Sequence, residues 1–418
     1  MRTGEEDSRR WRPVAAYAML AAATQLLWLT FAPLTTASAH HYHVSETAIG
    51  WLAEIFPLLY VVLALPAGRL LDRAFHRWLV VGALLTALGG LARLVAADFA
   101  WALAGQLLVA VGQPFVLNAV TKVASEYLPP RLRPHGIALG SAGIFAGMLL
   151  ALTLGTLFGG AHLTALLELQ AAFGVTAAGA LLFELRRRGA PDEEAAVGLG
   201  LVALREVWAD RNVRVLSGLL FLGFGAFIAL TTWLQALLHN YRVSSTTAGG
   251  LLVAMVLAGA VGAAALPPLV GSRGAERRVI AGSVAVTVVG ALLLAFEHAV
   301  AIDAIVLVPI GLLLLTDLPV ILELSERRAG ASAGTVAALL WLAGNAGGLF
   351  VALLVALLVH HPTPAFLVLA AVGLCATPLL FALSTEETRI EHDGRSELAA
   401  HASTPRDWIS DHGAAGSS

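Results

Sequence analysis

An all-α membrane protein with twelve transmembrane helices in two six-helix bundles is the fold that three observations in this sequence predict. Apolar stretches of roughly 20 residues follow one another almost from end to end, the length a helix needs to cross a bilayer core about 30 Å thick. All but two of the 26 Lys and Arg residues fall on one side of the membrane these stretches imply. The longest polar interruption, residues 186–214, leaves six stretches on either side of it. Each stretch is read as a helix because hydrocarbon offers no water to satisfy an unpaired backbone N–H or C=O. Composition agrees, with 58% hydrophobic and 13% charged residues where soluble domains carry about 25% charged.

The first span, residues 14–37, follows Arg9, Arg10 and Arg12 and ends in Ala37-Ser38-Ala39, which resembles a cleavable secretory signal. It is longer than a signal core and eleven spans follow, so it is expected to stay attached. The second, 48–67, carries Glu54 and ends at Gly68. The third, 79–97, holds Arg93 about one turn from its outer end, and the fourth, 100–124, holds Gln106 and Gln113. Span 5, 136–158, carries Gly136, Gly140, Gly143 and Gly147, and span 6, 163–185, runs into Arg186, Arg187 and Arg188. Spans 7 to 10 occupy 215–238, 248–270, 279–296 and 300–323, the last with Asp317 about two turns from its end. Span 11, 331–359, carries Gly344, Gly347 and Gly348, and span 12, 364–384, holds Cys375. With that single cysteine no intrachain disulfide is possible. The glycine stripes of spans 5 and 11 predict close helix approach.

Lys and Arg are retained in the cytoplasm during insertion, so the basic loops are read as cytoplasmic and only Arg93 and Arg242 as external. Both termini are then cytoplasmic, and the use of Arg almost to the exclusion of Lys suggests a bacterial genome and a cell (inner) membrane. The basic residues follow topology and gather into no groove, which excludes a nucleic-acid partner. The chain divides into a cytoplasmic N-terminus at 1–13, a bundle at 14–185, a linker at 186–214, a bundle at 215–384 and a tail at 385–418 expected to be disordered. Equal bundles joined by a linker follow the plan of a parallel repeat about an axis normal to the membrane. Val202, Leu204, Val207 and Trp208 have roughly helical spacing, predicting a short interfacial helix in the linker.

The segment from Gly68 through Asp72 and Arg73 to Arg77 resembles the signature that major facilitator transporters carry between helices 2 and 3, with Phe75 where the pattern has a second glycine. The resemblance implies a conformational latch. Gly68 permits close helix approach, Asp72 faces the positive end of a helix in the other half, and Arg73 and Arg77 complete the basic cluster. A longer pattern is similar to the family named for the feline leukaemia virus subgroup C receptor, associated with choline, ethanolamine and haem. It runs through Trp51-Leu52, Pro66, Leu88-Gly89-Gly90-Leu91-Ala92-Arg93, Gly105-Gln106, Gln113 to Asn118, Gly225-Ala226-Phe227 and Gly334-Thr335. That resemblance implies that Trp28, 23 residues before Trp51, walls the substrate site, with Gln113 and Asn345 as amide contacts. The family's aromatic position in helix 7 falls on Ile228 here, leaving Trp233 or Phe224 as replacements.

Read from the residues alone, Gln25 and Trp28 share a helix face, as do Gln106 and Gln113. Amides in hydrocarbon need partners and so face the bundle interior, where ligand contact and interhelical hydrogen bonding are both open to them. Trp28 has core packing as its alternative. Glu54 and Arg93 sit at similar depth, which predicts a structural ion pair rather than a gate. Asp317 must be paired, protonated or solvated, making it a candidate proton or cation site beside a bond to Arg327 or helix ends. His40, His41 and His43 are read as a solvated loop, not a metal site. No phosphate-cradling loop, Cys-x-x-Cys pair or Gly-x-Ser-x-Gly elbow appears, so no enzymatic chemistry and no cofactor are expected. The function predicted is secondary transport of a small polar solute by a monomer in the lipid bilayer, choline, ethanolamine or another amine leading. Another metabolite, an organic anion, or a receptor or sensor on the same scaffold is the alternative.

Overall fold

The computed structural model describes residues 2–129, 132–188, 201–271, 275–297, 299–329 and 333–402. Twelve helices among them are long and apolar enough to cross a membrane. They are α1 (Arg2–Trp28), α2 (Glu46–Arg73), α3 (Phe75–Ala92), α4 (Phe99–Leu117), α5 (Arg133–Phe158), α6 (Leu163–Arg188), α7 (Arg211–Asn240), α8 (Ser245–Gly271), α9 (Glu276–Phe296), α10 (Val300–Ala329), α11 (Ala333–Ala356) and α12 (Pro362–Ala402). Odd and even helices alternate in direction, so α1 begins and α12 ends at one face of the bundle, here the terminal face.

Packing within the first six helices is repeated in the last six. α1 lies along α5 as α7 lies along α11, α2 pairs with α4 as α8 with α10, and α3 with α6 as α9 with α12. The glycine stripes bring helix backbones into close contact. A Cβ at Gly143 or Gly147 would strike the α1 backbone at Ala18 or Ala22, and one at Gly347 would strike the α7 backbone at Phe221. Where lipid supplies no hydrophobic drive between helices, such backbone approach is what holds them together. The halves meet along α2 against α11 and α5 against α8, again a symmetric pair. The linker helix is present at Leu201–Ala209, packed on α7 and α11.

Three predicted boundaries are revised. Span 1 breaks after Trp28 into a 3₁₀ turn, Ala32–Leu34, and a helix, Thr35–Tyr42, because Pro33 is tolerated only in the first turn of a helix. His40 and His41 therefore end a helix, and His43 caps it with φ 54°. Span 4 breaks at Asn118, whose amide donates to the Ala64 carbonyl at 3.0 Å and accepts from the Tyr60 hydroxyl at 2.8 Å. A second short helix, Val120–Tyr127, follows. α12 continues to Ala402 past the apolar span, through a stretch rich in the helix formers Glu, Ala, Leu and Arg. Residues 130–131, 189–200, 272–274 and 403–418, which hold parts of the predicted linker, loops and tail, lie outside the described residues.

Candidate functional site

A cavity of about 200 Å³ lies between the halves, walled by α1, α2, α4 and α5 on one side and α7, α8, α10 and α11 on the other. It is smaller than the ~300–1,000 Å³ of drug-sized ligand sites, so its guest is small. None of the residues lining it is acidic, basic or histidine. Its polar groups are Gln25, Gln113, Ser141 and Asn345, and its ring faces are Trp28, Phe145, Phe224 and Trp341.

Trp28 is placed by a proline on the neighbouring helix. Pro57 has no N–H, so the carbonyl of Ala53, one turn earlier in α2, loses its helical donor. The indole N–H of Trp28 donates to that carbonyl at 3.0 Å. Gln106 of α4 donates to the adjacent Leu52 carbonyl at 3.1 Å. An orphaned acceptor in a dry interior costs several kcal/mol, and this arrangement removes it while holding the indole ring against the cavity. Phe56 backs the ring with centroids 6.2 Å apart.

Gln25, Trp28, Gln113 and Asn345 all line the cavity. Gln25 donates to Thr24 at 3.3 Å, Asn345 donates to the Trp341 carbonyl one turn back at 2.9 Å, and Gln106 braces helices and does not reach the cavity. Ile228 is buried against Gly348, so the helix 7 ring is absent from its expected place. Phe224, one turn earlier, supplies it. Its ring meets Trp341 edge-on at 6.1 Å. Trp341 escaped the sequence reading, although its spacing of four from Asn345 puts both on one helix face. Trp233 is elsewhere, its ring filling the space above Gly50 of α2.

The cavity-lining residues sit between mid-membrane and the terminal face, and the opposite side is sealed. Gln235 of α7 accepts from the Thr36 amide at 3.0 Å and donates to its hydroxyl at 3.1 Å, and Thr156 fills the space above Gly249 across the α5–α8 seam. Glu54 is buried at the α2–α7 seam beside Thr232 with neither oxygen well hydrogen-bonded. The predicted Glu54–Arg93 pair is not formed. Arg93 points into the first half, donating to Thr30 at 2.9 Å and Gln170 at 3.4 Å, because Gly89 and Gly105 press α3 on α4 and turn its side chain toward α6. At the terminal face Asp72 pairs with Lys122 of its own half and not with a helix end of the other, while Gly68 has nothing within 4 Å. Arg73 and Arg77 are exposed there. Asp317 lines a separate small cavity inside the second half. Among the described residues no group of three or more His, Cys, Asp or Glu stands ready for a metal ion.

Residues are 33% identical over 152 positions to solute carrier family 49 member A3 of Danio rerio, covering 34% of this chain and 32% of that one. The choline/ethanolamine transporter FLVCR2 of Homo sapiens is 29% identical over 123 residues, 28% of this chain and 23% of the relative. The chain thus matches a third or less of the length of either relative. A crystal structure of a bacterial homolog of the human lysosomal transporter Spinster, inward-facing and unoccupied, superposes with TM-score 0.67 at 15% identity over 90% of this chain and 97% of that one, a likeness of fold. The model of the Major Facilitator Superfamily matches residues 14–352, across both halves, and the chain belongs to that superfamily.

Proposed function

We propose that this transporter carries a small polar amine, choline or ethanolamine being the leading compounds, through the cavity between its halves by alternating access. The observation that carries the reading is a charge-free cavity with four aromatic rings, Trp28, Phe145, Phe224 and Trp341, beside the amides of Gln25, Gln113 and Asn345. A quaternary ammonium is held by ring faces through cation–π attraction, and the hydroxyl of either compound finds partners among the amides. The relatives named for choline and ethanolamine support the same class. Haem is disfavoured, since no histidine lines the cavity to ligate iron. Reading the termini as cytoplasmic in a cell membrane, from the bias of basic loops toward the cytoplasm, makes this an inward-facing state, and the transporter is taken to act as a monomer.

The test is thermal stabilisation of the purified protein by a panel of amines, sugars and organic acids. Choline or ethanolamine is expected to raise the melting temperature, and Trp28→Ala to abolish that rise. Stabilisation by an anion alone, unaffected by Trp28→Ala and Gln113→Ala, would overturn both the ligand class and the site. Cross-linking between cysteines on the two halves separates a transporter from a rigid receptor, which would keep one pattern with or without ligand.

A further inference from the structure

α10 carries two different sites on its two faces. Leu315, Leu318 and Leu322 line the central cavity, whereas Asp317 points away from it into the second half, among α7, α9 and α12. Asp317 is 6% exposed, and its Oδ1 has no hydrogen-bond partner. The hydroxyls of Ser283 and Thr287, one turn apart on α9, are also unpartnered, with exposures of 1% and 3%. All three side chains line a cavity of about 20 Å³, where ~10–15 Å³ suffices for one water-sized particle. The absence of side chains at Gly223 and Gly373 keeps this room open. A Cβ at Gly223 would stand 3.8 Å from Asp317 Oδ2.

No acidic, basic or histidine side chain other than Asp317 lines this cavity. The nearest charged groups on the packed helices are Glu276, Arg277 and Arg278 on α9, roughly two turns toward the terminal face from Ser283. On α7 the nearest is Arg214, about two and a half turns from Gly223, and on α10 Glu323 follows Asp317 by under two turns, with Glu326, Arg327 and Arg328 beyond it toward the terminal face, while Asp303 lies about four turns the other way. The described parts of α8, α11 and α12 as far as Leu383 carry no charged or histidine side chain. A lone carboxylate in such a place carries a large desolvation penalty and is stable only when a cation meets it. One carboxylate, two hydroxyls and room for one small particle form an all-oxygen donor set suited to a hard cation of single charge.

We propose that Asp317, Ser283 and Thr287 form a binding site for a small monovalent cation, a proton or a sodium ion, distinct from the solute cavity. Because α7 and α10 wall both cavities, a movement that reshapes one reshapes the other, so the cation is linked to the solute cycle. This assignment does not depend on the amine reading, and its test uses no solute.

The experiment follows the melting temperature of the full chain in detergent, first as pH is lowered in KCl, then as Na⁺ replaces K⁺ at fixed pH. The wild type is expected to gain about 2 °C or more in one of the two series. Asp317→Asn, a neutral side chain of the same shape, is expected to lose that gain and melt near the upper value throughout. A gain with falling pH alone identifies the proton, and a gain with Na⁺ alone identifies sodium. Should Asp317→Asn fail to fold, Ser283→Ala/Thr287→Ala decides, by a shifted pH midpoint or a weakened Na⁺ response. A wild type indifferent to both series overturns the site. So does a variant, of either kind, whose responses equal the wild type's.

Discussion

The most informative atom in the cavity wall is the Ala53 carbonyl oxygen, freed by Pro57 and taken up by the Trp28 indole. Trp28→Phe keeps a ring but removes the donor, leaving a buried acceptor unsatisfied at a cost of about 1–3 kcal/mol. Pro57→Ala in that background restores a helical donor to Ala53 and should recover part of the loss. A double-mutant cycle on unfolding midpoints measures this coupling, and strict additivity of the two changes would refute the arrangement. Glu54 gives a contrasting expectation. It has no ionic partner in this state, so Glu54→Gln should shift stability by less than about 1 kcal/mol, whereas breaking a buried ion pair costs ~3–5 kcal/mol. A loss in the larger range, read from the same unfolding curves, would restore the ion pair.

Helix pairs here are held by backbone approach, and glycines differ sharply in what they contribute. Gly147 lies against the backbone of Ala22, while Gly68 faces open space. Gly147→Val should therefore push α5 off α1 and cost about 1–3 kcal/mol or more through overpacking. Gly68→Ala should leave the melting temperature of this state unchanged. Its effect, if Gly68 belongs to the latch, would show only in the transport rate. Equal melting temperatures for the two variants would remove the distinction between a packing glycine and a latch glycine.

The two halves are tied on one side and apart at Asp72 on the other, which is the asymmetry alternating access requires. Gln235 holds the closed side through Thr36. Gln235→Ala should loosen that seal and raise the labelling rate of a cysteine placed at the buried Ser38, an increase that a permanently closed structure would not show. Asp72 pairs within its own half in this state, and a pair of this kind, still in part open to solvent, contributes about 0–1 kcal/mol. If Asp72 meets a helix end of the other half after rocking, Asp72→Asn should slow transport while leaving solute affinity unchanged, the lost contact being worth ~0.3–1 kcal/mol. Tenfold weaker binding at an undiminished maximal rate would place Asp72 in the solute site instead.

Twelve spans and the division into halves were readable from residue order, because hydrocarbon length and backbone satisfaction act on each segment alone. The glycine stripes were readable for the same reason, as periodicity within one helix. Trp28, Gln25, Gln113 and Asn345, which line the cavity, were singled out through spacing and resemblance. Helix breaks at Leu29 and Asn118 depended on Pro33 and on side chains of another helix, Tyr60 among them, and so escaped a reading of hydropathy. Glu54 and Arg93 matched in depth yet face different neighbours, because rotation about a helix axis is set by what packs against it. Trp341 and Phe224 became cavity walls, and Ser283 and Thr287 became companions of Asp317, only when helices distant in sequence were brought side by side. Depth belongs to a segment, whereas facing belongs to the assembled bundle.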